Sequence, residues 1–305
     1  MMFSHDIIKN RILVVGANGM LGLRTIDFFS KKQNVQLLGC SIEENPLYKD
    51  VDYISCDISK RENIKKIISD FYPDFIINAA AYTNVDKSET ERELAWKINV
   101  KGVEYLAESA RNIDAHLIHI SSDYIFDGKN GPYHENEKPN PLGYYGRTKL
   151  ASENALRISG AMNTILRTNV LYGLAAQSRP DFVRWVVQTV GDNKSVRIVT
   201  DQINNPTFID DLVQAISIVI EFRKVGIFNI GGQEFLSRFD FTTIIADYFN
   251  LDKRLVTPIL TEELHQPAKR PLKSGLITLK AQTEIGYKPC SIIESLSKMK
   301  RELSL

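Results

Sequence analysis

Short, almost continuously apolar runs alternate with amphipathic stretches along the first half of the chain, and this alternation constrains the fold most strongly. The runs that predict strands are RILVVG (11–16), VQLLGC (35–40), VDYISCD (51–57), DFIINAA (74–80) and HLIHISS (116–122). Strands of this composition are typical of a parallel sheet that is covered by helices on both faces. The sequence therefore predicts an α/β fold with a doubly wound parallel sheet of the Rossmann type.

Stretches with apolar residues at helical spacing predict the connecting helices. The predicted helices span residues 19–32, 60–71, 88–111 and about 144–158. One further strand is predicted at residues 163–170. Beyond residue 170 the alternation becomes irregular, with a strand at 195–201 and a helix at 206–222. We expect one domain over residues 1–170 and a smaller C-terminal α/β domain over residues 171–305, with part of the chain returning to the first domain.

The charge balance and the cysteines narrow the class of protein. The chain of 305 residues has 38 basic and 37 acidic side chains and a net charge of +1, which argues against a nucleic-acid or membrane-surface partner. Cys40, Cys56 and Cys290 are widely spaced without a metal-ligand pattern, so no metal site is predicted and a reduced, cytoplasmic location is expected. The N-terminal apolar run is too short for a signal peptide or a membrane span. The oligomeric state stays open, with a homodimer as one option.

Three glycines at intervals of three residues follow the first predicted strand and open the first helix. In the segment VVGANGMLG they allow a tight turn and let the backbone approach a pyrophosphate at the helix N-terminus. Their position between a strand and a helix makes this a prediction of dinucleotide binding by the first domain. The residues expected at the pyrophosphate are Gly16, Asn18, Gly19, Met20, Leu21 and Gly22.

The choice between NAD and NADP depends on the end of the second strand. An acid there would bind the ribose 2′-hydroxyl, but the chain has Ser41 at this point and no acid before Glu43, which slightly favours NADP. Asp57 ends the third strand and is expected to bind the adenine amino group or to cap the following helix. Further cofactor contacts are expected from Ile58, Ala79, Ala80 and Ala81.

The segment PNPLGYYGRTKLASE contains a tyrosine and a lysine that suit acid–base chemistry. Tyr145 and Lys149 lie four residues apart and share a helix face, whereas Tyr144 faces Thr148. A nearby ammonium would lower the tyrosine pKa from about 10, so Tyr145 is the candidate acid. The alternative is a core tyrosine with a solvated lysine beside it.

Two serines strengthen the acid–base interpretation, because they end the fifth strand at the edge where such sheets bind ligands. We expect Ser122 to polarise a substrate carbonyl, with Ser121 beside it at the cofactor. Tyr145 would protonate the carbonyl oxygen and Lys149 would hold the nicotinamide ribose while a hydride reaches the carbon. Asn99 is expected to hold a relay water near Lys149.

The motifs together resemble the extended short-chain dehydrogenase/reductase family. Within that family they are similar to the dTDP-4-dehydrorhamnose reductases, over nearly the whole chain. The segments that carry this similarity are GANGMLG (16–22), INAAAYTNVDKSE (77–89), SSDYIFDG (121–128), NPLGYYGRTKLASE (140–153), LRTNVLYG (166–173), VTDQINNPTFIDDL (199–212) and AKRPLKSGL (268–276).

The resemblance implies reduction of the 4-keto group of dTDP-4-dehydrorhamnose by NAD(P)H, in a pocket shared with the smaller substrate domain. It places Tyr124 and Val170 at the substrate, although the family often has tryptophan where Val170 stands and threonine where Ser122 stands. Gln202 is expected in the same pocket, and Arg270 at the substrate diphosphate or on the surface. SSDYIFDG also resembles the regulatory beta subunit of methionine adenosyltransferase, so a cofactor-binding regulatory protein is the alternative, beside a nucleotide-sugar epimerase or dehydratase.

Overall fold

The computed structural model describes residues 10–175 and 180–303. The interpretation of the N-terminus as neither signal peptide nor membrane span rests partly on residues 1–9, which lie outside the described residues. Within the described ranges, no helix combines the length and the apolar character that crossing a membrane requires.

Seven parallel strands form the central sheet. They are β1 (Asn10–Val15), β2 (Val35–Ser41), β3 (Asp52–Ser55), β4 (Phe75–Asn78), β5 (His116–Ser122), β6 (Asn163–Thr168) and β9 (Gly226–Asn229). Their order is β3-β2-β1-β4-β5-β6-β9, so the chain reverses its direction of winding between β1 and β4. The predicted doubly wound parallel sheet is confirmed, and its reversal point is where ligands bind in such sheets.

Helices cover both faces of the sheet, which is why its strands are apolar on both sides. They are α1 (Met20–Ser30), α2 (Arg61–Phe71), α3 (Arg92–Trp96), α4 (Gly102–Asn112), α5 (Tyr144–Ile158), α6 (Phe182–Gly191), α7 (Ile209–Phe222), α8 (Arg238–Tyr248), α9 (Leu279–Ile285) and α10 (Ile292–Leu303). In β1, Ile12 and Val14 enter the core under α1 and α7, whereas Leu13 and Val15 enter the core under α2 and α4. This alternation follows from the period of two along a strand.

The C-terminal half adds two small sheets and one strand of the central sheet. β7 (Val196–Val199) pairs in parallel with β11 (Val256–Ile259), and β8 (Ile203–Asn204) pairs with β10 (Leu236–Ser237). β9 instead joins β6 at the edge of the central sheet. The division of the chain into two domains at residue 170 stays a prediction.

One predicted helix is interrupted. The stretch 88–111 contains α3 and α4, separated by a π-helical turn at Lys97–Lys101. Asn99 lies in this turn, where its side chain accepts a hydrogen bond from the Tyr82 backbone amide at 2.7 Å. Such turns are frequent near functional sites because they reposition side chains within a helix.

A buried ion pair fixes α5 against the sheet. Arg167 on β6 donates from Nε and Nη2 to the two carboxylate oxygens of Glu153 at 2.9 and 2.8 Å. Both side chains are fully shielded from solvent. Ser121 on β5 donates to the same carboxylate at 2.6 Å. The bidentate pair and the serine together satisfy the carboxylate, which is the condition under which a buried charge is tolerated.

We predict that Glu153→Gln lowers the free energy of unfolding by about 3–5 kcal/mol, because it leaves the buried Arg167 guanidinium without a counter-charge. Urea denaturation followed by circular dichroism measures this change. Glu93→Gln is the control, since Glu93 forms a solvent-exposed pair with Lys97, and its loss is expected to have little effect. Equal stability of Glu153→Gln and the wild type would show that the ion pair does not hold α5.

Candidate active site

A cavity of about 980 Å³ opens along the edge of the sheet where the parallel strands end. Most of the residues predicted for the site lie along its wall. They are Gly16, Asn18, Gly19, Met20, Leu21, Ser41, Asp57, Ile58, Ala79, Ala80, Ala81, Ser121, Ser122, Tyr124, Tyr145, Lys149 and Val170. The cavity therefore joins the glycine turn at one end to the tyrosine and lysine at the other.

The glycine turn depends on backbone contacts that a side chain would prevent. Gly16 has φ +83°, and a Cβ there would lie 2.6 Å from the Ala80 backbone nitrogen. A Cβ on Gly22 would lie 2.1 Å from the Gly16 carbonyl oxygen, so Gly22 serves the packing of α1 on the turn. Gly22 is not part of the cavity wall among the described residues, whereas Gly19 precedes α1 as its N-cap and does line the cavity. The N-cap Gly19 makes no side-chain hydrogen bond to the first amides of α1, and amides of this kind bind anions at helix N-termini.

Polar side chains surround the end of the cavity at β2. The Ser41 hydroxyl accepts a hydrogen bond from the Asn18 backbone amide at 3.0 Å. The Asn18 side chain then accepts from the Leu47 amide at 2.9 Å and contacts the Glu43 carboxylate at 3.3 Å. Asn18 therefore fixes the loop that carries Glu43 to the cavity wall.

Asp57 does not cap α2. Its carboxylate accepts from the Ser59 amide at 2.9 Å, while the N-cap of α2 is Lys60. The interpretation of Asp57 as the N-cap is therefore wrong, because the cap lies three residues further along the chain. Asp57 lines the cavity.

Tyr145 lies at the opposite end of the cavity, beside Ser122 and Tyr124. Its ring meets that of Tyr124 edge to face, with centroids 5.7 Å apart. Burial raises the pKa of Tyr145 above its ordinary value, and the charge of Asp123 raises it further, whereas a hydrogen bond with Ser122 lowers it. The expectation of a pKa lowered by Lys149 is wrong for this structure, because the environment of the phenol is dominated by burial and a neighbouring carboxylate. The phenol stays protonated at neutral pH.

Lys149 is 2% exposed and points towards β5. Its Nζ donates to the Ile120 carbonyl oxygen at 2.6 Å and lies 3.4 Å from Nε2 of His119. Burial lowers the pKa of Lys149 to about 8, against a smaller opposing effect of Glu153. The alternative of a solvated surface lysine is therefore wrong.

Val170 lies on the cavity wall with a backbone conformation that is unusual for its type. Its φ is +36°, in the left-handed region that a β-branched residue seldom adopts. Strained residues of this kind persist where the surrounding structure fixes them, and they cluster at ligand sites.

Besides Gly22, three predicted residues do not line the cavity among the described residues. The Asn99 side chain is 1% exposed and bonds to the Tyr82 backbone and to the Thr148 hydroxyl of α5. Its predicted role in holding a relay water stays a prediction. Gln202 donates to the Thr261 hydroxyl at 3.0 Å. Arg270 forms a bidentate pair with Asp86 at 2.6 and 2.7 Å, which occupies the guanidinium expected at a diphosphate.

Four charged residues of the cavity wall were not predicted as site residues, namely Glu43, Asp123, Asp181 and Arg238. Asp123 is 2% exposed, and burial raises its pKa to about 6, although hydrogen bonds from Ser274 and Ser122 oppose the shift. Arg238 begins α8 and reaches the same wall. Asp123 directly follows Ser121 and Ser122 in the sequence, so its position next to these two serines could have indicated that it belongs to the site. Arg238 stands in an ordinary helix start, LSRFDF, which carries no such signal.

Comparison with known sequences gives close matches along most of the chain. The family model described as the RmlD substrate binding domain matches residues 10–305. The dTDP-4-dehydrorhamnose reductase of Aggregatibacter actinomycetemcomitans is 33% identical over 291 residues, which cover 92% of this chain and 94% of the relative. The methionine adenosyltransferase 2 subunit beta of Xenopus tropicalis is 33% identical over 260 residues, with 83% and 76% covered.

Solved structures match the fold equally well. A dTDP-4-dehydrorhamnose reductase from Clostridium acetobutylicum superposes with a TM-score of 0.87 at 32% identity, over 97% of this chain and all of that one. The Bacillus anthracis enzyme of the same name, solved in complex with NADP, gives a TM-score of 0.82 at 29% identity over 96% and 99% of the two chains. The chain belongs to the dTDP-4-dehydrorhamnose reductase family, whose model is the RmlD substrate binding domain.

Proposed function

We propose that this protein is an NAD(P)H-dependent oxidoreductase that reduces the 4-keto group of dTDP-4-dehydrorhamnose to give dTDP-L-rhamnose. The observation that carries the proposal is that Tyr145, Ser122 and Lys149 line the same cavity as the glycine turn after β1. A proton donor and a dinucleotide cradle therefore share one space. The relatives named as dTDP-4-dehydrorhamnose reductases supply the identity of the sugar nucleotide.

The residues present fit a nicotinamide dinucleotide. Gly16 and Gly19 line the cavity, so the backbone of the turn faces the space where a pyrophosphate would bind at the N-terminus of α1. Ala79 to Ala81 leave a flat wall beside it, and Asp57 and Ile58 would hold the adenine. The Bacillus anthracis relative was solved with NADP, and the cofactor proposed here is NADP or NAD.

The bound cofactor supplies the hydride, and this chain supplies the proton. Tyr145 is protonated at neutral pH because burial raises its pKa, so its hydroxyl is ready to donate to the carbonyl oxygen of the sugar. The hydrogen bond with Ser122 lowers the Tyr145 pKa and so stabilises the phenolate that remains after the transfer. Ser122 is also placed to polarise the carbonyl.

Lys149 is proposed to hold the ribose next to the nicotinamide and to provide positive charge near the phenolate. The Ile120 carbonyl orients its ammonium, and the helix spacing sets it one turn from Tyr145. With a pKa of about 8, Lys149 is mostly charged at neutral pH.

Two alternatives make different predictions. A regulatory protein of the same fold, like the methionine adenosyltransferase beta subunits, would bind the cofactor without turning over a keto sugar. An epimerase or dehydratase would convert a nucleotide sugar without net consumption of the reduced cofactor. Absorbance of NADPH and NADH, followed with dTDP-4-dehydrorhamnose present, distinguishes the reductase from both alternatives, since only the reductase consumes the reduced cofactor.

Tyr145→Phe is expected to lower the rate of this reaction by about 10²- to 10⁴-fold, because it removes the proton donor. Steady-state absorbance measures the rate, and fluorescence titration with NADPH is expected to give wild-type cofactor affinity. Tyr144→Phe is the matched control, since Tyr144 lies outside the cavity wall among the described residues and packs against Arg92. Turnover retained by Tyr145→Phe would contradict the assignment of the acid.

The pH dependence of kcat/KM should reflect Lys149. Its folded-state pKa of about 8 lies below the ordinary lysine value, so the ammonium is present below pH 8 and is lost as the pH rises through that value. We expect kcat/KM to fall by about tenfold per pH unit on the alkaline side of this pKa. The raised pKa of Tyr145 places its own loss of a proton at higher pH. A constant kcat/KM up to about pH 9.5 would argue against a required charge on Lys149.

Glu43 is expected to influence the choice between the two cofactors. Its carboxylate follows β2 at the end of the cavity where the ribose 2′-position is expected, and it would repel a 2′-phosphate. Glu43→Gln should therefore raise kcat/KM for NADPH relative to NADH by about two- to fivefold. Glu44→Gln is the matched control, since Glu44 is exposed and does not belong to the cavity wall described here. An unchanged ratio would exclude Glu43 from this role.

A further inference from the structure

Arg238 contributes an arginine to the cavity wall that the mechanism does not use. It begins α8, where Ser237 and Asp240 form a capping box that fixes the start of the helix. Its backbone amide donates to the Gln202 carbonyl oxygen at 3.2 Å. The first residue of α8 therefore has a defined position, and its side chain faces the cavity.

The guanidinium of Arg238 lies without a hydrogen-bonded partner among the described residues. It lies over the face of the Phe182 ring, with Cζ 4.8 Å from the ring centroid. Asp123 forms no ion pair with Arg238 among the described residues, and the two Asp123 oxygens accept hydrogen bonds from Ser122 and Ser274. Burial lowers the pKa of Arg238, because removing the charged guanidinium from water is unfavourable. A guanidinium carries five N–H donors, and here they remain available to a ligand.

The location of Arg238 assigns it to the substrate end of the cavity. The Asp123 carboxylate and the Tyr124 side chain lie near enough to influence the pKa of Arg238, and the Tyr124 ring packs against Tyr145. The cofactor pyrophosphate is expected at the opposite end, at the N-terminus of α1. An anion bound by Arg238 would therefore belong to the substrate.

The other arginine considered for this role is already paired. Arg270 was expected at the substrate diphosphate, but both of its terminal nitrogens donate to Asp86. The cationic side chains that line the cavity are Lys149 and Arg238 among the described residues, and Lys149 is committed to Ile120 and the catalytic helix.

We infer that Arg238 binds the diphosphate of the nucleotide sugar and thereby positions the sugar beside Tyr145. The inference rests on the proposed function, because a 6-deoxy keto sugar is itself uncharged and the diphosphate is then the anionic part of the substrate. A guanidinium matches phosphate oxygens through two parallel hydrogen bonds, and the Phe182 ring beneath it keeps its plane fixed.

Binding of dTDP and of thymidine to the full chain with NADPH present tests this inference by isothermal titration calorimetry. Arg238→Gln should weaken dTDP binding by about 10- to 100-fold, since charged hydrogen bonds are lost, and should leave thymidine binding unchanged. Arg238→Lys should retain part of the affinity as a point charge. Arg254→Gln is the control, because Arg254 is exposed and paired with Asp252. Thermal unfolding is measured for each variant.

Each outcome has a defined meaning. Unchanged dTDP affinity in Arg238→Gln, or an equal loss for dTDP and thymidine, overturns the inference. A loss of dTDP affinity in Arg270→Gln that Arg238→Gln does not share moves the site to Arg270 and overturns it as well. Absence of turnover in a wild-type protein that binds dTDP through Arg238 would contradict the reductase proposal alone.

Discussion

The pairing of Glu153 with Arg167 holds α5 in place, and the arrangement of the site depends on that helix. The two oxygens of the carboxylate accept from the guanidinium in a position shielded from solvent, and Ser121 completes the set of donors. Lys149 lies one turn before Glu153 on the same buried side, and its ammonium reaches the Ile120 carbonyl. A charged network thus fixes the register between the helix and the end of β5, where the reacting groups meet.

The environment of Tyr145 suits it to act as an acid at neutral pH. Burial and the charge of Asp123 keep its hydroxyl protonated, while Ser122 offers a hydrogen bond that favours the phenolate once the proton has left. The two effects are compatible because they act at different stages of the reaction. The raised pKa keeps the Tyr145 phenol protonated before the transfer, and the hydrogen bond with Ser122 stabilises the phenolate after it. Arg238 adds to the same end a guanidinium that has no hydrogen-bond partner within residues 10–175 and 180–303, and it is proposed to orient the diphosphate.

Local sequence patterns predicted the parts of the site that depend on local geometry. The turn at Gly16 follows from a strand–glycine–helix order, and the common face of Tyr145 and Lys149 follows from helix spacing. The partner of Arg270 is Asp86, 184 residues away along the chain, and no local pattern contains that contact. Asn99 was misplaced for a related reason, since the π-helical turn that carries it is set by tertiary contacts.

The central claim is that a hydride moves from the cofactor to the keto carbon of the sugar. The most direct measurement uses NADPH and NADH carrying deuterium at the transferable position of the nicotinamide, with dTDP-4-dehydrorhamnose as substrate and mass spectrometry of the sugar product. The account predicts one deuterium on carbon 4 of dTDP-L-rhamnose for each cofactor oxidised. A product without deuterium, or unreacted keto sugar after cofactor has bound, would contradict it.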